Sequence, residues 1–214
     1  MKKRVFLLIT ALFIGSLVSA QVKTSINICP QFNENFGFRI GSDLDIPLNY
    51  NWSFVPGAYW SLRNRIETRN TTTNNVETNI KYKDEAHFIT MPLRFGLQIH
   101  CKDDDRFTVK LLFGPYLAYG LSGNSKSITQ ENGIKKTSEV GAFEKDGRYN
   151  HRFDYGLNLG LNALINQSLQ LGFFGEVGFR NIYNQNGWIE ELITHLFYIT
   201  NKNFALGLTL GYQF

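Results

Sequence analysis

The closing stretch of the chain alternates without a break. Phe204, Leu206, Leu208, Leu210, Tyr212 and Phe214 form one set, and Ala205, Gly207, Thr209, Gly211 and Gln213 the other. Such alternation puts the two sets on opposite faces of a β-strand. A strand of about ten residues, tilted by roughly 45°, spans a bilayer. A soluble sheet would bury the apolar set in a core. A membrane barrel would turn it to lipid and fill its interior with the small and polar set.

The same period recurs upstream. Val22 to Cys29 is the first predicted strand, followed by a short polar connection from Pro30 to Asn35. Phe36 to Leu48 and Trp52 to Arg65 are the second and third, joined by a tight turn at Asn49-Tyr50-Asn51. Pro56 and Gly57 inside the third predict a bend or bulge. Phe88 to His100 and Phe107 to Leu121 are the fourth and fifth, Arg152 to Ile165 and Leu169 to Tyr183 the sixth and seventh. The polar stretches 67–85 and 122–150 are expected to be long loops, and 184–201 leads to the closing strand. The predicted class is all-β: an eight-stranded antiparallel up-and-down transmembrane barrel. Connections after the second, fourth and sixth strands are short, and those after the third, fifth and seventh are long. Outer-membrane barrels show this asymmetry, with short periplasmic turns and longer outer loops.

The choice of solvent rests on which face is apolar. Phe, Leu, Tyr and Trp line one face of every strand, whereas most glycines of the later strands fall on the opposite, polar face. Glycine relieves crowding inside a narrow barrel and offers little to lipid. The polar face also carries both signs of charge: Arg39, Arg63, Arg94, Lys110 and Arg180 with Asp43, Asp45, Asp154 and Glu176. Enclosed, these must pair, because unpaired buried charge is costly. A membrane barrel is favoured over a soluble barrel or sandwich, and aromatics near strand ends (Trp52, Phe54, Trp60, Phe153, Tyr183, Tyr212, Phe214) fit interfacial girdles.

The N-terminus changes the charge picture. Lys2, Lys3 and Arg4 precede an apolar run from Val5 to Val18, and Val18-Ser19-Ala20 is a small-residue cleavage site. This is the pattern of a secretory signal peptide, residues 1–20, leaving a barrel domain at 21–214. Its removal lowers the basic residues from 22 to 19 against 18 acidic ones. A nucleic-acid partner has no electrostatic support. Cys29 and Cys101 fall at opposite ends of the expected barrel, too far apart to pair.

Three segments and the terminus, Met91-Pro92-Leu93-Arg94-Phe95, Phe113-Gly114-Pro115-Tyr116-Leu117-Ala118-Tyr119, Phe153-Asp154-Tyr155-Gly156-Leu157 and Gly211-Tyr212-Gln213-Phe214, resemble the PorT-like outer-membrane β-barrel family of Bacteroidota. The resemblance spans essentially the whole chain after the signal, with short and mostly structural motifs. It implies localisation in the outer membrane and a terminal aromatic pair, Tyr212 and Phe214, resembling the signal read by the barrel-assembly machinery. The family's named member is linked to protein secretion; no catalytic residues carry over.

Candidate chemistry is sparse. The histidines His87, His100, His151 and His195 are scattered, with no metal-ligand spacing, and neither metal nor cofactor is expected. Outer-membrane barrels that modify lipid would need a nucleophile and base on the rim, for which His151 and His195 are the nearest candidates. The mixed-sign face reads either as a salt-bridge plug or as a narrow ion path, and eight strands enclose little more than their own side chains. Trp188, Ile189, Leu192, Ile193, Leu196 and Phe197 recur at helical spacing, which suits a rim helix or an amphipathic segment touching the outer leaflet. The expected role is structural or binding, not catalytic. Outer-membrane lipid, the barrel-assembly machinery and envelope or secretion proteins are the expected partners, with a small-solute channel or lipid-modifying enzyme as alternatives.

Overall fold

The computed structural model describes residues 22–33, 35–73, 76–100, 106–131, 134–145, 147–181 and 202–214. Nine antiparallel strands form it: β1 (Lys23–Asn33), β2 (Asn35–Pro47), β3 (Trp52–Thr73), β4 (Val76–His100), β5 (Phe107–Glu131), β6 (Ile134–Gly141), β7 (Phe153–Ile165), β8 (Leu169–Asn181) and β9 (Lys202–Gln213). The order β4-β3-β2-β1-β9-β8-β7-β5 closes on itself through β4–β5, so eight strands make a ring. β6 is added outside the ring, on the edge of β5.

The alternation settles which way each face points. Phe173, on the apolar set of β8, is 64% exposed, whereas Arg39, on the polar set of β2, is 1% exposed. The same contrast runs around the ring. Ile28, Phe95, Leu157 and Leu206 lie outside, and Asn27, Arg94, Asn158 and Ala205 lie inside. Water would not tolerate so continuous an apolar exterior, and a hydrocarbon surround requires it.

Two tight turns mark one end of the ring. The Asn49 side-chain oxygen accepts the backbone N–H groups of Asn51 and Trp52 at 3.0 and 2.9 Å. Asn166 and Gln167 both adopt positive φ (50° and 59°), and Ser168 N–H returns to Ile165 O at 3.2 Å. Two central residues of positive φ match the twist of a hairpin. Both chain ends of the ring lie here too, since Phe214 N–H donates to Thr24 O at 2.8 Å.

Four expectations need correction. β1 does not stop at Cys29: it runs through Pro30 to Asn33, which pairs with Asn35. Pro30 is tolerated because its ladder to β9 jumps from Ile28↔Leu210 to Gln31↔Gly207. Pro56 and Gly57 make no bulge; the register with β2 and β4 is the same on both sides of them. The irregularity lies instead between His87 and Phe88, where β5 carries Leu121 as an extra residue.

The stretches 67–85 and 122–150 are not mainly loops. From Tyr59↔Thr90, β3 and β4 pair without interruption to Thr73↔Val76, and β5 turns back into β6 with Glu131 opposite Ile134. A four-stranded sheet thus continues the barrel wall beyond the apolar band. Its residues are mainly polar on both faces, including the buried Arg65, Asp84 and Ser125, so it has no hydrophobic period to betray it; Thr-rich strands hold by ladder hydrogen bonds.

Candidate functional site

The interior is a stack of charged groups, each reached by partners from distant strands. Nearest the tight turns, Lys110 on β5 donates to Asp45 on β2, which also accepts from Gln213 Nε2 at 3.3 Å. A polar cavity of about 250 Å³ opens beside them, lined by Lys23, Gln98, Thr108 and Gln167 among others.

One level further in, Asp43 is fully engaged. Arg94 donates to its Oδ1; Tyr59 OH and Asn27 Nδ2 donate to Oδ2 at 2.6 and 3.0 Å. The middle is built on Glu176. Arg39 Nη1 and Asn158 Nδ2 donate to its Oε1 at 2.6 and 3.0 Å, and Arg63 lies 3.7 Å from Oε2. The Arg39 guanidinium is held between two rings, 3.5 Å from the Phe174 centroid and 4.4 Å from that of Tyr59. Above it, Asp154 accepts from Tyr116 OH at 2.8 Å and Asn203 Nδ2 at 3.0 Å. Cations Arg39, Arg63, Arg94 and Lys110 face carboxylates Asp43, Asp45, Asp154 and Glu176 in equal number, which removes the chief cost of enclosing them.

Small residues make this density feasible. At Gly178 a Cβ would fall 2.9 Å from Asp154 Oδ1 and 3.0 Å from Tyr116 OH. At Gly120 it would clash with the tip of the Phe143 ring.

That ring belongs to a cap over the far mouth. Residues 142–145 and 147–152 of the β6–β7 connection fold inward: Ala142 N–H donates to Gly123 O at 2.8 Å and Tyr149 N–H to Ala142 O at 3.0 Å. Phe143, Tyr149 and Phe88 form an aromatic cluster, with centroids 5.0 to 5.9 Å apart, on Ala86, Tyr116 and Ala118. Arg63 closes the stack from below, 4.3 Å from the Phe88 ring. Arg148 clasps the cap to the protruding sheet. It pairs with Glu67, lies 3.8 Å from Asp84 and stacks on Tyr82 at 4.4 Å. Asp84 lies beyond the apolar band, and burial pushes its carboxyl above the usual range despite the nearby Arg148 and Arg65.

Of the residues singled out from sequence, Arg39, Asp43, Asp45, Arg63, Arg94, Lys110, Asp154 and Glu176 meet inside the ring. Arg180 does not join them: it donates to Phe153 O at 3.4 Å near the far rim, because its strand has by then climbed past the stack. Tyr212 and Phe214 are exposed outside, ring centroids 5.0 Å apart. Cys29 is buried and free, its thiol 3.8 Å from Thr209 Oγ1. Cys101 and the helical-period segment Trp188 to Phe197 lie outside the described residues. Among the described residues no group of three or more His, Cys, Asp or Glu side chains is placed to hold a metal.

Sequence reading overlooked the neutral partners. Tyr59, Tyr116, Asn27, Asn158 and Asn203 sit on the polar set, and an amide or phenol there has nothing else to bond. Phe88 and Phe174 break the alternation as aromatics on the polar face. The Phe173-Phe174 and His87-Phe88 doublets were the signal that a ring had turned inward.

The sequence profile of a family described as Outer membrane protein beta-barrel domain matches residues 13–184. No curated protein matches the chain. Among solved structures, Ail, the attachment invasion locus protein of Yersinia pestis, is similar at 10% identity. The alignment covers 90% of this chain and 96% of that one, with a TM-score of 0.27. The same protein in complex with the heparin analogue sucrose octasulfate aligns over the same shares at 10% identity and a TM-score of 0.29.

Proposed function

The chain belongs to the outer membrane β-barrel domain family and resides in the outer membrane, and we propose that it serves there as a structural and binding protein with a lumen closed by its own side chains. The observation that carries this reading is the continuous stack from Lys110–Asp45 to the Phe143–Tyr149 cap. Among the described residues, the axis inward of the Lys110–Asp45 cavity is filled level by level with paired ions, hydrogen-bonded polar groups and packed rings, which supports a closed lumen. The surface left for work is the protruding sheet of β3–β6, a rigid polar platform standing outside the membrane.

Planar-bilayer recording on the purified chain tests this. Current at background is expected; a steady single-channel conductance would overturn the closed lumen. An unchanged lipid profile in a deletion strain is expected against the lipid-modifying alternative. The PorT-like resemblance supports a finer placement beside a secretion apparatus. Crosslinkers at 67–85 and 122–150 in intact outer membrane should then capture secretion components. The exposed pair Tyr212 and Phe214 suits a role as the assembly signal, and removing both should leave the chain in the periplasm.

A further inference from the structure

β6 is an edge strand whose second side meets no partner among the described residues, and its residues from Ile134 to Glu139 are all exposed. An open edge presents unpaired backbone groups to any extended chain. Lysines alone would guard such an edge, and Lys135 and Lys136 stand on it. Glu139, four residues beyond Lys135, alters that reading.

In an antiparallel pair, directly opposite residues share a face, so a strand paired with its own copy can centre only on a residue. Centred on Thr137, Lys135 meets Glu139 and Glu139 meets Lys135, both on the outer face of the sheet. Ile134 meets Val140 and Lys136 meets Ser138 on the other face. Centred on Lys136, that lysine would oppose itself, which destabilises the pair. Centred on Ser138, neither charge finds its complement. One register is therefore selected, and it is self-complementary.

Symmetry decides where the two copies sit. Continuing a sheet antiparallel across a two-fold requires an axis perpendicular to the sheet. This sheet prolongs the barrel wall, so that axis lies along the membrane plane. Copies in one membrane are related by an axis along its normal and would present their β6 strands crossed. Copies in two facing membranes meet the requirement. Thr137 is paired with Ile128, seven residues past Leu121 on β5. At about 3.3 Å per residue and a tilt of roughly 45°, the two hydrocarbon surfaces would stand roughly 30 Å apart.

We propose that β6 is a homophilic contact strand, pairing antiparallel about Thr137 with a second copy of this chain in an apposed membrane. The proposal rests on the outer sheet being the binding surface, and the many copies on each membrane supply the avidity that a single short strand pair lacks.

The test uses the full chain reconstituted in phosphatidylcholine vesicles, read by light scattering, with heat-modifiable gel mobility to show that each variant is a folded barrel. Wild-type vesicles should cluster. Lys135→Glu vesicles and Glu139→Lys vesicles should each cluster about tenfold less, since both facing pairs become like-charged. Mixing the two populations should restore clustering, because position 135 of each copy then faces the opposite charge at position 139 of the other. The double variant should cluster with itself. Dispersed wild-type vesicles, single variants that cluster like wild type, a mixture that stays dispersed, or a double variant that does not cluster would each overturn the proposal. Bilayer conductance of the same preparations reports on the lumen independently, so the closed-lumen reading can fail without moving this result.

Discussion

Arg39 sits over Phe174, its guanidinium carbon 3.5 Å from the ring centroid, while its Nη1 reaches Glu176 two residues further along β8. One strand thus supplies both the ring that a desolvated cation can rest on and the carboxylate that neutralises it.

Removing the carboxylate should expose how much depends on it. Glu176→Gln leaves Arg39 and Arg63 enclosed without their counter-charge, and stripping one partner from a buried pair costs about 3–5 kcal/mol. Urea unfolding in lipid vesicles should show the midpoint drop accordingly. An unchanged midpoint would mean that water reaches the centre of the barrel.

Gly120→Ala drives a methyl group into the tip of the Phe143 ring. The cap, not the barrel, should give way: the 142–148 segment becomes sensitive to protease added outside, while heat-modifiable mobility is retained. Continued protease resistance would count against Phe143 as the anchor.

Acid should tighten the protruding sheet at Asp84. Burial holds its folded pKa above the unfolded value of 3.8. The folded form therefore keeps the proton longer, and stability rises as pH falls through the window between those two values, being complete below about 3.8. Asp84→Asn should remove that pH dependence and slow backbone exchange around residues 82–86 at neutral pH. Faster exchange in the variant would show that the Arg148 pairing outweighs burial.

Cys29 provides a probe of closure. Its side chain is fully buried among Tyr59, Phe174 and Ala205. In a Cys101→Ser background, a small charged maleimide should leave the folded barrel unlabelled and react only after denaturation. Labelling of the folded protein would show a path through the stack.

The ring was legible because each strand inside the apolar band meets two different solvents, and alternation records that contrast. Phe204 to Phe214 and Arg152 to Ile165 are clear instances. The outer sheet was not legible, since its strands, with Asn70, Asn79, Lys81 and Ser127 among their residues, are mainly polar on both faces and carry no such contrast. The ionic residues were visible as a set, but their pairing was not. Arg39 and Glu176 are separated by 137 positions, and only closure of the ring brings β2 opposite β8. Arg180 shared their face yet sits too far along its strand to join them.

That separation has a bearing on how the molecule enters a bilayer. Glu176 on β8 serves cations from β2 and β3, and Asp45 on β2 serves Lys110 on β5. Of these lumen charges, β3–β4 and β4–β5 carry only cations and β7–β8 only carboxylates, so their counter-charges come from other strands. A partly inserted ribbon would drag bare guanidinium groups through oil, so insertion has to be concerted: the last seam, β1 against β9, must zip while the polar side still touches water.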